Sequence, residues 1–198
     1  NILLWGLGAG LVLFAAASLQ QIGLVYTTAG NAGFITGLYV VIVPLLGIGR
    51  RQSIGAVRWI AVVVAVIGLY LLAVPGNLEI NPGDMFVLGS ALFFALHVQL
   101  VDYVSKRVQA LPFSVTQYIV VGVLSLVVAL AIEAPDIASI QLAITPILYG
   151  GIGSISIAYT LQVVAQRRAP ATHAAILLSL EGTFAAIGGW LVLGEILS

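Results

Sequence analysis

The sequence predicts an all-α integral membrane protein with seven transmembrane helices, and three observations carry that prediction. Of the 198 residues, 61% are hydrophobic and only 7% are charged, where a soluble domain carries about a quarter charged residues. Mean hydropathy is +1.17. The apolar residues fall in long uniform runs rather than short stretches of alternating polarity, so helices fit and a β-barrel does not. The chain has no cysteine, which excludes a disulfide framework, a zinc–thiolate cluster and a thiol nucleophile. Formal net charge is zero, so only the placement of the charges is informative.

A helix needs roughly 20 residues to cross about 30 Å of hydrocarbon. Breaks at charged or Pro/Gly-rich stretches give spans at 2–26, 30–49, 57–74, 85–104, 113–132, 142–165 and 172–194. The first opens on Asn1 and runs directly into apolar residues with no basic segment or cleavage site, so it is not a signal peptide. Without an initiator Met the chain reads as a fragment. The connectors are short, and "PGNLEINPGD" (75–84) and "EAPD" (133–136) are turn-rich.

All seven basic residues occupy three connectors: Arg50, Arg51 and Arg58; Lys106 and Arg107; Arg167 and Arg168. Each cluster lies two spans from the next, so all three share one side of the membrane. The positive-inside rule makes that side cytoplasmic. The other connectors carry Glu79, Asp84, Glu133 and Asp136 and no Lys or Arg. The expected location is a multi-pass plasma (inner) membrane, with connectors 50–58, 106–107 and 167–168 in the cytoplasm.

Laid over itself with a shift of 142 residues, "SLQQIGLVYTTAGNAGFITGLY" (18–39) falls on "TLQVVAQRRAPATHAAILLSLE" (160–181). Leu19–Gln20 meets Leu161–Gln162, Ala29 meets Ala171, Ala32 meets Ala174 and Leu38 meets Leu180; Gly8 and Gly47 fall on Gly150 and Gly189. Span one then repeats as span six, and span two as span seven. A period of five spans is odd, so successive repeats cross the membrane in opposite senses. Inverted repeats are a frequent transporter architecture, with the ligand site near the midplane. Two full repeats need ten helices in a 5+5 arrangement. The expected division is 1–75 as the second part of the first repeat (helices 3–5) and 82–198 as the second repeat without its last helix (helices 6–9).

These residues resemble the EamA-type transporters of the drug/metabolite transporter superfamily. The stretch "SLQQIGLVYTTAGNAGFITGLYVVIVPLL" (18–46) is similar to the family's helix 3–4 region. "YTLQVVAQRRAPATHAAILLSLEGTFAAIGGWLVLGE" (159–195) is similar to its helix 8–9 region and is the more specific of the two, including the Leu193–Gly194–Glu195 ending. Gly182 stands where the family usually has Pro after the Glu, Val40 occupies the matching place in the first half, and "GIGRRQ" (47–52) replaces the acidic residue that often closes the fourth helix. The resemblance implies export of small metabolites or drug-like compounds through a central cavity by alternating access.

Glu181 is the residue that most needs a reason. A carboxylate near the bilayer centre costs roughly 2.5–3.5 kcal/mol on insertion scales. Ala174, Leu177, Leu178, Ala185 and Gly188 share its helical face, and small residues of that kind let helices approach closely. Two readings stand: a cavity group that contacts substrate or carries a proton, and a protonated carboxyl bonded to a neighbouring backbone. His97, with Phe93 and Phe94 one turn above, is a packing residue or a partner of Glu181 at similar depth. Gln20 and Gln162, repeat mates on small-residue faces, orient a substrate or bond between helices. Tyr159 lies beside Gln162, and Tyr39 matches Glu181 under the shift. Asp102 and Lys106, four apart at a helix end, read as an exposed ion pair. The substrate-binding or coupling set is therefore Glu181, His97, Gln20, Gln162, Tyr159 and Tyr39.

Gly-rich runs such as "GLGAG" (6–10) and "GGIGS" (150–154) lack the strand before and the GK[ST] after that a phosphate loop needs, and read as close-packing motifs. An intramembrane enzyme would need a Gly-x-Ser-Gly nucleophile with His, or two facing aspartates, and neither is present. A non-transporting scaffold, the remaining alternative, predicts no convergence of polar side chains on an interior cavity. No catalytic residue, metal or cofactor is expected. The expected partners are a small-molecule substrate and the lipid bilayer, with no nucleic acid and a homodimer left open.

Overall fold

The computed structural model describes residues 1–52, 54–73, 81–133, 136–188 and 191. Most of the 75–84 connector with Glu79, part of the 133–136 connector, Gly189 and the Leu193–Gly194–Glu195 ending lie outside the described residues. All regular structure among the described residues is helical. The elements are α1 (Ile2–Leu24), α2 (Ala29–Gly37), α3 (Tyr39–Gly49), α4 (Ala56–Ala73), α5 (Pro82–Ser105), α6 (Ala110–Ile132), α7 (Ile137–Leu142), α8 (Ile144–Leu148), a π-helical stretch (Tyr149–Ala158), α9 (Tyr159–Gln166), α10 (Ala171–Leu178) and α11 (Leu180–Gly188).

Five of the expected spans are long and apolar enough to cross a membrane: Ile2–Leu24, Gly30–Gly49, Pro82–Ser105, Ala110–Ile132 and Ile144–Gln166. The third is apolar over Ala56–Gly68, and the seventh is described only to Gly188 and Leu191. Large apolar side chains such as Leu4, Val64, Leu126 and Leu130 are exposed along these helices, as lipid contact requires and water would not favour. Among the described residues the protein is all-α, with five helices long and apolar enough to make it multi-pass.

The chain forms two compact units, Asn1–Phe14 with Leu100–Arg168, and Ala15–Gln99 with Ala169–Ser198. In the first unit Ala9, Val101, Val104, Ala110, Phe113 and Val163 form the core. Gly6 and Gly10 pack against Thr116 and Val120, so the "GLGAG" run is a close-packing motif at those two positions. The "GGIGS" run shows no such packing at Gly150 and Gly151, where no described residue lies within 4 Å of an added Cβ. Those residues belong instead to the π-helical stretch. Glycines hold a regular α-helix weakly, and the Ser156 hydroxyl donates to the Gly151 carbonyl five residues back at 2.7 Å. The expected uniform sixth helix is thus a π-helical segment between two short α-helices.

Asp102 and Lys106 pair at 2.6 Å, but the Asp102 side chain is only 7% exposed against 43% for Lys106. The expectation of an exposed pair is corrected: helical spacing gave the partner, while packing of α5 decided which end was covered. Beside it the Arg107 guanidinium lies 3.7 Å over the Tyr103 ring, which also meets Trp5.

Asp136 caps α7, accepting from the Ser139 backbone N–H at 2.9 Å. The Ser139 hydroxyl, which also donates to it, and that backbone bond hold its carboxyl below the usual carboxylate range. A depressed folded value contributes stability above the unfolded pKa and loses it as pH falls through the folded one. Amide exchange at Ser139 should therefore quicken on strong acidification, with exchange corrected for its intrinsic pH dependence. An unchanged corrected rate would remove the cap from the account.

In the second unit the connectors are held by local chemistry. Thr28 caps α2, accepting from the Asn31 N–H at 3.2 Å. At the start of α5, Pro82 takes the first helical position, where its missing N–H costs nothing. Asp84 reaches back to the Asn81 N–H at 2.9 Å and accepts from the Thr27 hydroxyl at 2.6 Å, joining the loop after α1 to the start of α5. The two helices meet there through glycine: a Cβ on Gly83 would lie 2.5 Å from the Gly23 carbonyl oxygen.

α3 ends in a Schellman arrangement. The Gln52 N–H donates to the Gly47 carbonyl at 2.9 Å and the Arg51 N–H to Ile48 at 2.8 Å. The left-handed residue this turn requires is Arg51, φ 58°, where glycine carries no Cβ penalty. Arg51→Gly should raise stability by up to about 1 kcal/mol, read as a higher unfolding temperature. A lower unfolding temperature would mean that the Arg51 side chain holds the turn.

Candidate functional site

Among the described residues, spans two and seven are each broken once, and the breaks organise the site. Span two turns at Leu38, whose N–H donates to Ile35 three residues back at 3.1 Å. Span seven turns at Ser179, whose hydroxyl donates to the Ile176 carbonyl at 2.8 Å. Neither turn needs the proline that the family resemblance leads one to look for; a local i→i+3 bond in one and a side-chain bond in the other suffice. Each break leaves a short helix before it and another after it. They pack crosswise: α2 lies against α11, and α10 against α3. The first half of one span meets the second half of the other, so the two spans run antiparallel and break at the same level.

A cavity of about 240 Å³ opens at that crossing, lined by Gln20 and Leu24 of α1, Ala32, Gly33, Thr36 and Gly37 of α2, Tyr39 of α3, Ser179 at the second break, and Glu181 and Gly182 of α11. Glu181 is exposed and lines this space. It occupies the first turn of α11, two residues past the turn at Ser179. Ten residues of helix rise, about 15 Å, separate Glu181 from the start of α10, and the same rise separates Tyr39 from the start of α2. Each is half of about 30 Å, so the two residues reach mid-depth from opposite ends. The Gln20 amide nitrogen donates to the Thr36 hydroxyl at 3.1 Å.

Three of the six sequence candidates, Gln20, Tyr39 and Glu181, therefore share one cavity. His97 is buried at 1% exposure on α5 and is not among the lining residues. Its depth along the chain resembled that of Glu181, but its side of the helix could not be read from spacing. Gln162 and Tyr159 belong to the other unit, where the Gln162 amide donates to Gln166 at 3.1 Å. Tyr159 is half-buried at the start of α9, next to Thr160, whose hydroxyl bonds Tyr118 at 2.9 Å.

Thr36 and Ser179 were not singled out from the sequence. For Ser179 the 142-residue shift contains a signal, because it places Gly37 on Ser179 as it places Tyr39 on Glu181, and all four line the cavity; Thr36 falls on Leu178 and has none. Also unanticipated was Gln99, 4% exposed, which gathers Arg50 and Gln52 at the end of α3.

Residues 81–198 match the EamA-like transporter family. The chain belongs to that family. It is also 31% identical over 198 residues to an uncharacterized transporter of Archaeoglobus fulgidus. That alignment covers 98% of this chain and 62% of the relative, so the chain spans about three-fifths of that relative's length. The matched family is one of transporters, and the relative bears a transporter's name.

Proposed function

We propose that this EamA-family chain is part of a secondary, export-type transporter that moves small metabolites or drug-like compounds by alternating access through the cavity at the crossed breaks. One observation carries the reading: repeat mates, Gly37 with Ser179 and Tyr39 with Glu181, line one space at mid-depth between two antiparallel broken helices. Broken helices meeting at the midplane of an inverted pair are where transporters hold their ligands. The packing supports a ten-helix 5+5 architecture of which seven helices lie in this chain. A scaffold without transport gives no reason for an amide, three hydroxyl-bearing residues and a carboxylate to gather there.

The lining sets the chemistry. Leu24, Ala32 and the glycines offer an apolar wall, while Gln20, Thr36, Ser179 and Glu181 supply hydrogen bonds, and the lining contains no Lys or Arg. An amphipathic solute fits this mixture. The volume, about 240 Å³, falls just below the about 300–1,000 Å³ of ligand pockets, which suits only a small metabolite. Glu181 contacts that solute or carries a coupling proton.

Orientation follows the basic connectors, with 50–58, 106–107 and 167–168 in the cytoplasm of a plasma membrane. The ties in the second unit agree with this: Thr27 and Asp84, from two connectors assigned outside, bond to each other. Single-cysteine labelling has no background from this chain, which carries no native cysteine. In intact cells, a membrane-impermeant thiol reagent should leave Arg107→Cys unmodified and react once the cells are opened. Ready labelling of intact cells would reverse the orientation.

A further inference from the structure

We infer that the hydrogen-bond cluster around Gln99 is a gate latch that seals the cavity from the membrane side carrying Arg50. The cluster lies within one unit and joins the end of α3 to α5. Arg50 donates through one guanidinium nitrogen to the Gln99 side-chain oxygen and to its main-chain oxygen, both at 2.9 Å. The Gln99 amide nitrogen donates to the Val43 carbonyl at 2.7 Å, and Gln52 approaches the same Gln99 oxygen at 3.4 Å. Gln99 thus accepts a charge-assisted bond and returns a donor to the helix that supplies it.

The local backbone is shaped for this. The Schellman turn with Arg51 at φ 58° brings Gln52 back over Gly47. A Cβ at Gly47 would sit 2.7 Å from the Gln52 oxygen and 3.1 Å from the Gln99 nitrogen, so glycine is what lets the two amides meet there. Between the cavity and the latch, Tyr39, Val43, Ala95, Val98, Ala171, Ala174 and Ala175 form a close-packed seam of α3, α5 and α10. The cavity, by contrast, reaches Gln20 and Leu24 near the opposite end of α1. Of the seam residues only Tyr39 also lines the cavity.

α3 is also weakest above the latch. Pro44 lies inside it and deprives the Val40 carbonyl of its helical donor, just below the turn at Leu38. The lower part of α3 can therefore swing away from α5 as a short lever once the Gln99 bonds are released. Releasing them opens the seam and exposes the cavity to the Arg50 side.

The inference rests on the alternating-access reading, and the test keeps the two apart because it needs no substrate. In the full-length protein, Ala95→Cys reports the seam and Ala32→Cys reports the cavity, with a small thiol reagent applied to oriented vesicles. Arg50→Ala and Gln99→Leu should each speed labelling at 95 from the Arg50 side by about ten- to a hundredfold, the population shift given by losing one charge-assisted bond. Labelling at 32 from the opposite side should slow in the same variants. Arg50→Lys, a point charge in place of the fork, should fall between, and Arg51→Gly should change neither rate.

Unchanged labelling at 95 in folded, monodisperse Arg50→Ala or Gln99→Leu protein overturns the latch. So does acceleration at both positions, which is what a merely loosened bundle gives. If Arg50→Ala does not fold, the Arg50→Lys result decides, with wild-type rates counting against the proposal. Reciprocal labelling without transport of any solute would retain the latch and reject the transport reading.

Discussion

Replacing Glu181 with Gln is expected to abolish or uncouple transport while expression and membrane insertion stay normal. The amide keeps the shape and most hydrogen bonding of the carboxyl but cannot ionise. If the group carries a proton, coupled flux stops and its pH dependence disappears. If it pairs with a substrate charge, loss of a charge-assisted bond of about 1.5–3 kcal/mol lowers affinity by roughly ten- to a hundredfold. The measurement is uptake into proteoliposomes or efflux from cells across a pH series. Normal, pH-dependent transport by the Gln variant would remove the proton-carrier role. Glu181→Leu separates the structural alternative, since a carboxyl that only holds helices together tolerates Gln and fails with Leu through misfolding.

The largest stability effect should come from Gly83→Val. A Cβ at Gly83 meets the Gly23 carbonyl oxygen at 2.5 Å, Tyr26 Cβ at 2.9 Å and the Tyr26 backbone at 3.0 Å. Main-chain atoms cannot rotate aside, so the crossing of α1 and α5 must widen. Overpacking of this kind costs about 1–3 kcal/mol, and here it also pulls Thr27 from Asp84. Gly8→Ala is the matched control, because nothing lies within 4 Å of a Cβ there; it should be neutral or stabilising by about 0.5–1 kcal/mol. Unfolding temperatures in detergent distinguish them, and a Gly83→Val protein as stable as wild type would mean that the crossing is looser than its backbone spacing indicates.

The reach of the sequence differs from element to element for physical reasons. Spans such as Ile2–Leu24 and Ala110–Ile132 were legible because a bilayer demands length and apolarity, both of which are composition. The grouping of Tyr39 with Glu181 was legible through the repeat shift. The breaks at Leu38 and Ser179 were not, since each rests on a single local hydrogen bond with no proline to announce it. His97 shows the same limit in another form. Sequence position fixes depth along a helix, but the side that packs depends on residues from other helices. Gln99 lies 49 residues from Arg50, and nothing local to either residue signals the pairing. Asp102 looked exposed because an i,i+4 pair at a helix end usually is; its side chain is instead 7% exposed.

An accumulation and susceptibility screen of the full-length gene in a transporter-deficient host tests the account most directly. The account predicts at least one class of small amphipathic solute whose cellular accumulation falls when the wild-type protein is made, and does not fall with Glu181→Gln at equal membrane abundance. A broad solute panel showing no change in accumulation with abundant, correctly inserted wild-type protein would contradict it.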